Sequence, residues 1–133
     1  MTVDAQADER LQRYLENLVA TATPAQRLLL LFDYLRRDLT QAAESFGDRN
    51  WKAVSDALVH AQHIVFALRD PLDQESELGR SLHAVYSFCL TELLRCNLEK
   101  DPTALPAVRN IVDQLANANA TAATSLSPER ASA

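Results

Sequence analysis

A chain of 133 residues is long enough for one ordinary domain with its own core. Against 18 Asp and Glu it carries only 13 Lys and Arg, a net charge of -5 with no basic stripe, which excludes nucleic acid and anionic membrane surfaces as electrostatic partners. Hydrophobic residues make up 47% and Gly only 2 positions, and the abundance of Ala, Leu, Gln, Glu and Arg favours an all-α fold.

Residues 1–10 read as a flexible N-terminus. From Asp8 to Val19, Leu11, Tyr14, Leu15 and Leu18 recur at spacings of three and four, giving a short amphipathic segment at 11–20. Thr23-Pro24-Ala25-Gln26 then starts a new helix: Thr23 suits the N-cap, Pro24 the first helical position, and Gln26 the reciprocal place in a capping box. Its apolar stripe is Leu28, Leu31, Leu35, Leu39, Ala42 and Phe46, widened near the start by Leu29, Leu30 and Phe32. Gly47-Asp48-Arg49-Asn50 ends it, with Gly47 expected as a left-handed cap.

The next helix spans about Trp51 to Arg69, turns Val54, Leu58, Ala61, Val65 and Leu68 inward, and is limited by Pro71. A third runs from Glu75 or Ser76 to about Leu98, with Leu78, Leu82, Val85, Cys89, Leu93 and Cys96 on its stripe. Thr103 is the expected cap of a fourth, shorter helix bearing Leu105, Val108, Ile111, Val112 and Leu115. Residues 117–133 carry almost no large apolar side chain and are expected to be a disordered tail. Short connections make the helices antiparallel neighbours. The prediction is an up-down four-helix bundle over 11–116, with an additional short N-terminal helical segment and a flexible C-terminal tail.

Chemistry leaves few traces. His60 and His63 sit one turn apart and His83 lies on the following helix. The Glu-x-x-His pairs of helix-bundle metal sites occur nowhere, so no metal and no cofactor are expected. There is no Gly-rich phosphate loop and no Gly-x-Ser-x-Gly elbow, which argues against an enzyme. Cys89 and Cys96, about 10 Å apart along one helix, cannot bridge each other and read as small core residues. Leu28 to Phe32 is far too short to span a bilayer, and Met1-Thr2-Val3-Asp4 lacks the regions of a signal peptide, so the cytoplasm is the expected location and membrane insertion is not.

What remains is apolar surface. Val59, His63 and Phe66 form a second stripe about 100° from the core stripe of their helix, and Tyr86, Leu90 and Leu94 do the same on the next. Part of this surface packs against the rest of the bundle. The excess predicts a groove for another amphipathic helix. The 11–20 segment, with Tyr14, either covers that groove or is a fixed fifth element; the residues alone leave both open.

The order of features resembles the FliS family of flagellin export chaperones. Tyr14 stands ten residues before Pro24 of Thr21-Ala22-Thr23-Pro24, and Leu31-Phe32-Asp33 is similar to the family's Leu-Tyr-Asp or Leu-Phe-Asp. Ala61-Gln62-His63-Ile64-Val65 resembles Ala-Gln-x-Ile-Ile, Leu72-Asp73 the family's Leu-Asp, and Leu82-His83-Ala84-Val85-Tyr86 its Leu-x-x-Leu-Tyr. Cys96-Asn97-Leu98-Glu99-Lys100-Asp101 is similar to Ala-Asn-x-x-x-Asp, so the match covers about Leu11 to Leu115. The family's Trp near the end of the last helix is missing, which implies an early end or looser docking there; Pro71 implies a shortened preceding helix.

The resemblance implies a cytoplasmic chaperone that binds the disordered C-terminal segment of flagellin, prevents premature polymerisation and delivers it to the flagellar export machinery. Its expected partner-binding residues are Tyr14, Val59, His63, Phe66, Tyr86, Leu90, Leu94 and Asn97, the last as a polar partner for peptide backbone. The alternative is a structural bundle or adaptor that self-associates, as a homodimer, through the same surface.

Overall fold

The computed structural model describes residues 8–10, 12–13, 16–17, 20 and 23–132, and the side chains as far as residue 121. Helices α1 (Pro24–Gly47), α2 (Trp51–Arg69), α3 (Glu77–Glu99) and α4 (Leu105–Ser132) follow one another, and the described residues contain no strand. α1 packs against α2 and α4, and α3 against the same two, so α1 and α3 stand on one diagonal of the bundle. Ser55 meets Asn97 while Arg69 meets Ser87, which makes α2 and α3 antiparallel; Arg36 meets Asp113 and Thr40 meets Arg109, which does the same for α1 and α4.

The start of α1 follows from its sequence. Thr23 Oγ1 accepts from the Gln26 amide at 3.2 Å and Gln26 Oε1 accepts from the Thr23 amide at 2.9 Å, a complete capping box with Pro24 behind it. Thr23→Ala is expected to cost about 1 kcal/mol of stability in urea denaturation, because the Gln26 amide loses its acceptor. The predicted stripes close into one core. Leu35, Leu39, Ala42 and Phe46 of α1 meet Val54, Leu58, Ala61, Val65 and Leu68 of α2, with Cys89, Leu93 and Cys96 of α3 and Leu105, Val108 and Val112 of α4. Phe32 is fully part of it, whereas Leu28 and Leu31 are only partly covered.

Four expectations need correction. Gly47 is not the left-handed residue; Arg49 is, at φ 55°, with its amide donating to Phe46 O at 3.1 Å and the Asn50 amide to Ser45 O at 3.0 Å. The tight turn is needed two residues later because Asn50 must present its side chain to the Ala53 amide as the cap of α2. Leu78, expected in the α3 stripe, lies in the first turn beyond the reach of the core and is 70% exposed, and Val85 of the same stripe stays outside the core cluster. Thr103 does not cap α4: its amide and hydroxyl donate to Asp101 Oδ1, and the Val108 amide bonds to Ala104 O instead.

The fourth correction is the C-terminal stretch. Where a tail was expected from residue 117, the backbone of α4 continues to Ser132. Extending a helix already nucleated on the core fixes one residue per added hydrogen bond, and Ala116, Ala118, Ala120, Ala122 and Ala123 have the best intrinsic preference for it. Arg36 reinforces the point of departure, pairing with Asp113 Oδ1 at 3.0 Å and donating to Asn117 Oδ1 at 3.2 Å. The missing Trp therefore does not end the helix early.

α3 begins under a closer constraint. Ser76 Oγ accepts from the Gly79 amide at 2.9 Å and donates to Asp73 O at 3.0 Å, folding the loop tightly over the first turn. A Cβ on Gly79 would lie 1.8 Å from Asp73 O, so only glycine lets the loop approach. At the other end, Lys100 takes the left-handed cap at φ 52° and the Asp101 amide reaches back to Cys96 O.

Candidate functional site

Along the seam between α2 and α3 the two helices repeat every seven residues. Ser55, Gln62 and Arg69 share one stripe of α2, and His83, Leu90 and Asn97 share the stripe of α3 that faces it. At one end Ser55 Oγ donates to Asn97 Oδ1 at 3.0 Å, while Lys100 Nζ donates to Ser55 Oγ at 2.6 Å and also to Asn97 Oδ1. At the other, Arg69 Nη1 donates to Ser87 Oγ at 3.3 Å, and His83 Nδ1 stands 3.5 Å from the same hydroxyl. The seam is thus fastened by polar groups at both ends, and between them it is apolar apart from Gln62.

Over that apolar middle stand the side chains the core does not take. Val59 and Phe66 on α2 are 40% and 41% exposed, and Leu94 on α3 is 48% exposed. Leu90, at 9%, belongs to the core cluster and forms the floor between them. The Arg69 guanidinium lies 5.0 Å from the centroid of the Phe66 ring, a cation–π contact that holds the ring at the rim. Arg69 Nη2 donates to Asp70 Oδ1 at 3.5 Å, while Nε, at the same distance from that oxygen, is off the line of a hydrogen bond.

The predicted residues therefore separate. Val59, Phe66, Leu90 and Leu94 come together as a shallow apolar trough. His63 shares the outer face with Lys52 and Asp56 and points into solvent, because its place on the helix is rotated past the rim. Tyr86 is a core residue at 5% exposure, a quarter-turn behind the trough, and burial followed by the neighbouring Cys89 pushes its hydroxyl up to about 12. Burial likewise pushes the Cys89 thiol up to about 11, which leaves it protonated and inert at neutral pH. Asn97 uses its carbonyl within the end cluster rather than offering it outward. Tyr14 lies outside the described residues, as do Leu11, Leu15 and Leu18.

Sequence reasoning missed Ser55, Gln62 and Arg69, although their seven-residue recurrence was available as a signal. The histidines do not converge: His60 Nδ1 pairs with Asp38 Oδ2 of α1 at 2.5 Å, on the side of α2 away from the trough. Burial pushes the Asp38 carboxyl up, opposed by the hydrogen bond and charge of His60. Among the described residues no three His, Cys, Asp or Glu side chains are placed to share an ion, and no helix is long and apolar enough to cross a membrane. A cleft of about 190 Å³ between α1 and α4 is lined by Arg36 and Arg109, but these already bond to Asp113 and Thr40.

The family model described as flagellar protein FliS matches residues 7–125. The flagellar secretion chaperone FliS of Bacillus subtilis is 28% identical over 105 residues, covering 79% of each chain. That of Escherichia coli is 33% identical over 106 residues, covering 77% of this chain and 78% of its own. A crystal structure of a bacterial flagellar chaperone has the same fold, with a TM-score of 0.71 at 17% identity over 92% of this chain and 98% of that one. A capped helix bundle with a polar-ended apolar seam, matched along nearly its whole length by one family model, places this chain in the FliS family.

Proposed function

We propose that the α2/α3 trough receives an amphipathic helix formed by the C-terminal segment of flagellin in the cytoplasm, withholding it from polymerisation until it reaches the flagellar export machinery. The observation that carries this reading is the row of Val59, Phe66 and Leu94, large apolar side chains standing in water along one seam. A segment that is disordered when free and apolar along one face loses that exposure by folding onto such a row. The relatives' role as flagellar secretion chaperones supports the same assignment. No bond has to be made or broken; the work is reversible burial.

Titration of the full chain with a synthetic peptide of the flagellin C-terminal segment tests this. The expected result is a one-to-one complex of micromolar or tighter affinity, with peptide helicity rising on binding. Absence of binding at micromolar concentrations removes the proposal.

A further inference from the structure

The three rungs of the α2/α3 seam are not alike. Ser55 is bonded to Asn97 and Arg69 to Ser87, but Gln62, midway between Ser55 and Arg69 on the same stripe of α2, has no such bond across the seam. Gln62 Nε2 is buried and has no hydrogen-bond partner among the described residues. A buried amide donor without an acceptor is costly, and such groups are rare in folded chains. The Gln62 side chain as a whole is only partly buried, three residues from exposed Val59 and four from exposed Phe66 on the same helix.

Resting on the reading that the trough holds a flagellin helix, we propose that Gln62 sets the register of that helix by donating to a side-chain carbonyl, Asn or Gln, carried between two of its apolar anchors. Val59 and Phe66 are seven residues apart, about 10 Å along α2, a spacing that positions i and i+7 of a docked helix reproduce. Such a helix has its own mid-body carbonyls engaged in i to i-4 bonds, so the acceptor facing Gln62 must come from a side chain. A carboxylate would have to shed its hydration in an apolar setting, whereas a carboxamide sheds less and returns a donor to Gln62 Oε1. One amide pair inside an otherwise apolar contact penalises every slipped alignment, as a single buried Asn does in coiled coils.

Gln62→Met keeps the length of the side chain and removes its polarity; Gln62→Glu keeps the shape and replaces the donor. Both are titrated with the flagellin C-terminal peptide, alongside a peptide set in which each Asn and Gln is replaced in turn by Leu. Either variant is expected to bind the parent peptide about tenfold more weakly than the unaltered chain, the loss of one buried hydrogen bond. One Leu-substituted peptide is expected to lose a similar factor on the unaltered chain and to lose nothing further on Gln62→Met. The free Gln62→Met chain is expected to melt no lower than the parent, which a residue serving only the fold would not allow. If Gln62→Met binds the parent peptide undiminished while the unaltered chain also binds it, this inference fails alone. If the unaltered chain does not bind the peptide, the flagellin reading fails and this one with it.

Discussion

Leu94→Asp is expected to weaken binding of the flagellin C-terminal peptide by a factor on the order of 100 while leaving the thermal melting curve of the free chain nearly unmoved. Covering the half of the leucine side chain still in water contributes about 1 kcal/mol, and stripping water from a carboxylate in its place costs about 2 kcal/mol more; the sum, roughly 3 kcal/mol, corresponds to a factor on the order of 100. In the free chain the new carboxylate simply stays in solvent, since Leu94 is already half exposed, and surface changes of that kind stay within about 0.5 kcal/mol. Peptide titration and a thermal melt on the same sample check both halves. Undiminished binding would show that the trough is not where the partner sits.

One residue earlier the expectation reverses. Leu93→Ala is expected to destabilise the fold by about 3 kcal/mol, a fall in melting temperature on the order of 10 °C, with peptide affinity per folded molecule unchanged. Leu93 is 0% exposed, packed in the cluster that joins all four helices, and its loss leaves a cavity that neighbours on three other helices cannot collapse to fill. A single 100° step of α3 thus separates a residue that holds the bundle together from one that serves its surface. Urea or thermal denaturation of Leu93→Ala measures the first role; a melt indistinguishable from the parent would contradict the sealed core.

Much of this was legible in the sequence because periodicity reports directly on which side of a helix is buried. Every residue of the α2 stripe, Val54 through Leu68, is in the core, and the Thr23 to Gln26 box forms as its spacing requires. Periodicity does not report how far a neighbouring helix reaches around that side. Tyr86 falls in the core rather than the trough, and Gln62 at its margin, because each lies near the edge of its stripe, where a small rotation of α3 against α2 decides between core and rim. Arg49 could take the left-handed position expected of Gly47 because the Asn50 cap fixed where the chain had to turn. The continuation of α4 is not legible for a different reason: its first part lacks large apolar residues, yet a helix seeded on the core extends through the alanines as far as Ala123 at little cost.

Between α2 and α3 the two fastened ends, Ser55 with Asn97 and Lys100, and Arg69 with Ser87, have a mechanical side. Apolar contacts tighten until atoms touch, whereas hydrogen bonds keep a preferred length of about 3 Å. Polar ends therefore act as fixed spacers, holding the two helices at one gauge whether or not anything lies between them. On the proposed reading, a cradle of constant width could be emptied and refilled without repacking its frame, so that a docked helix would leave while the bundle stays folded.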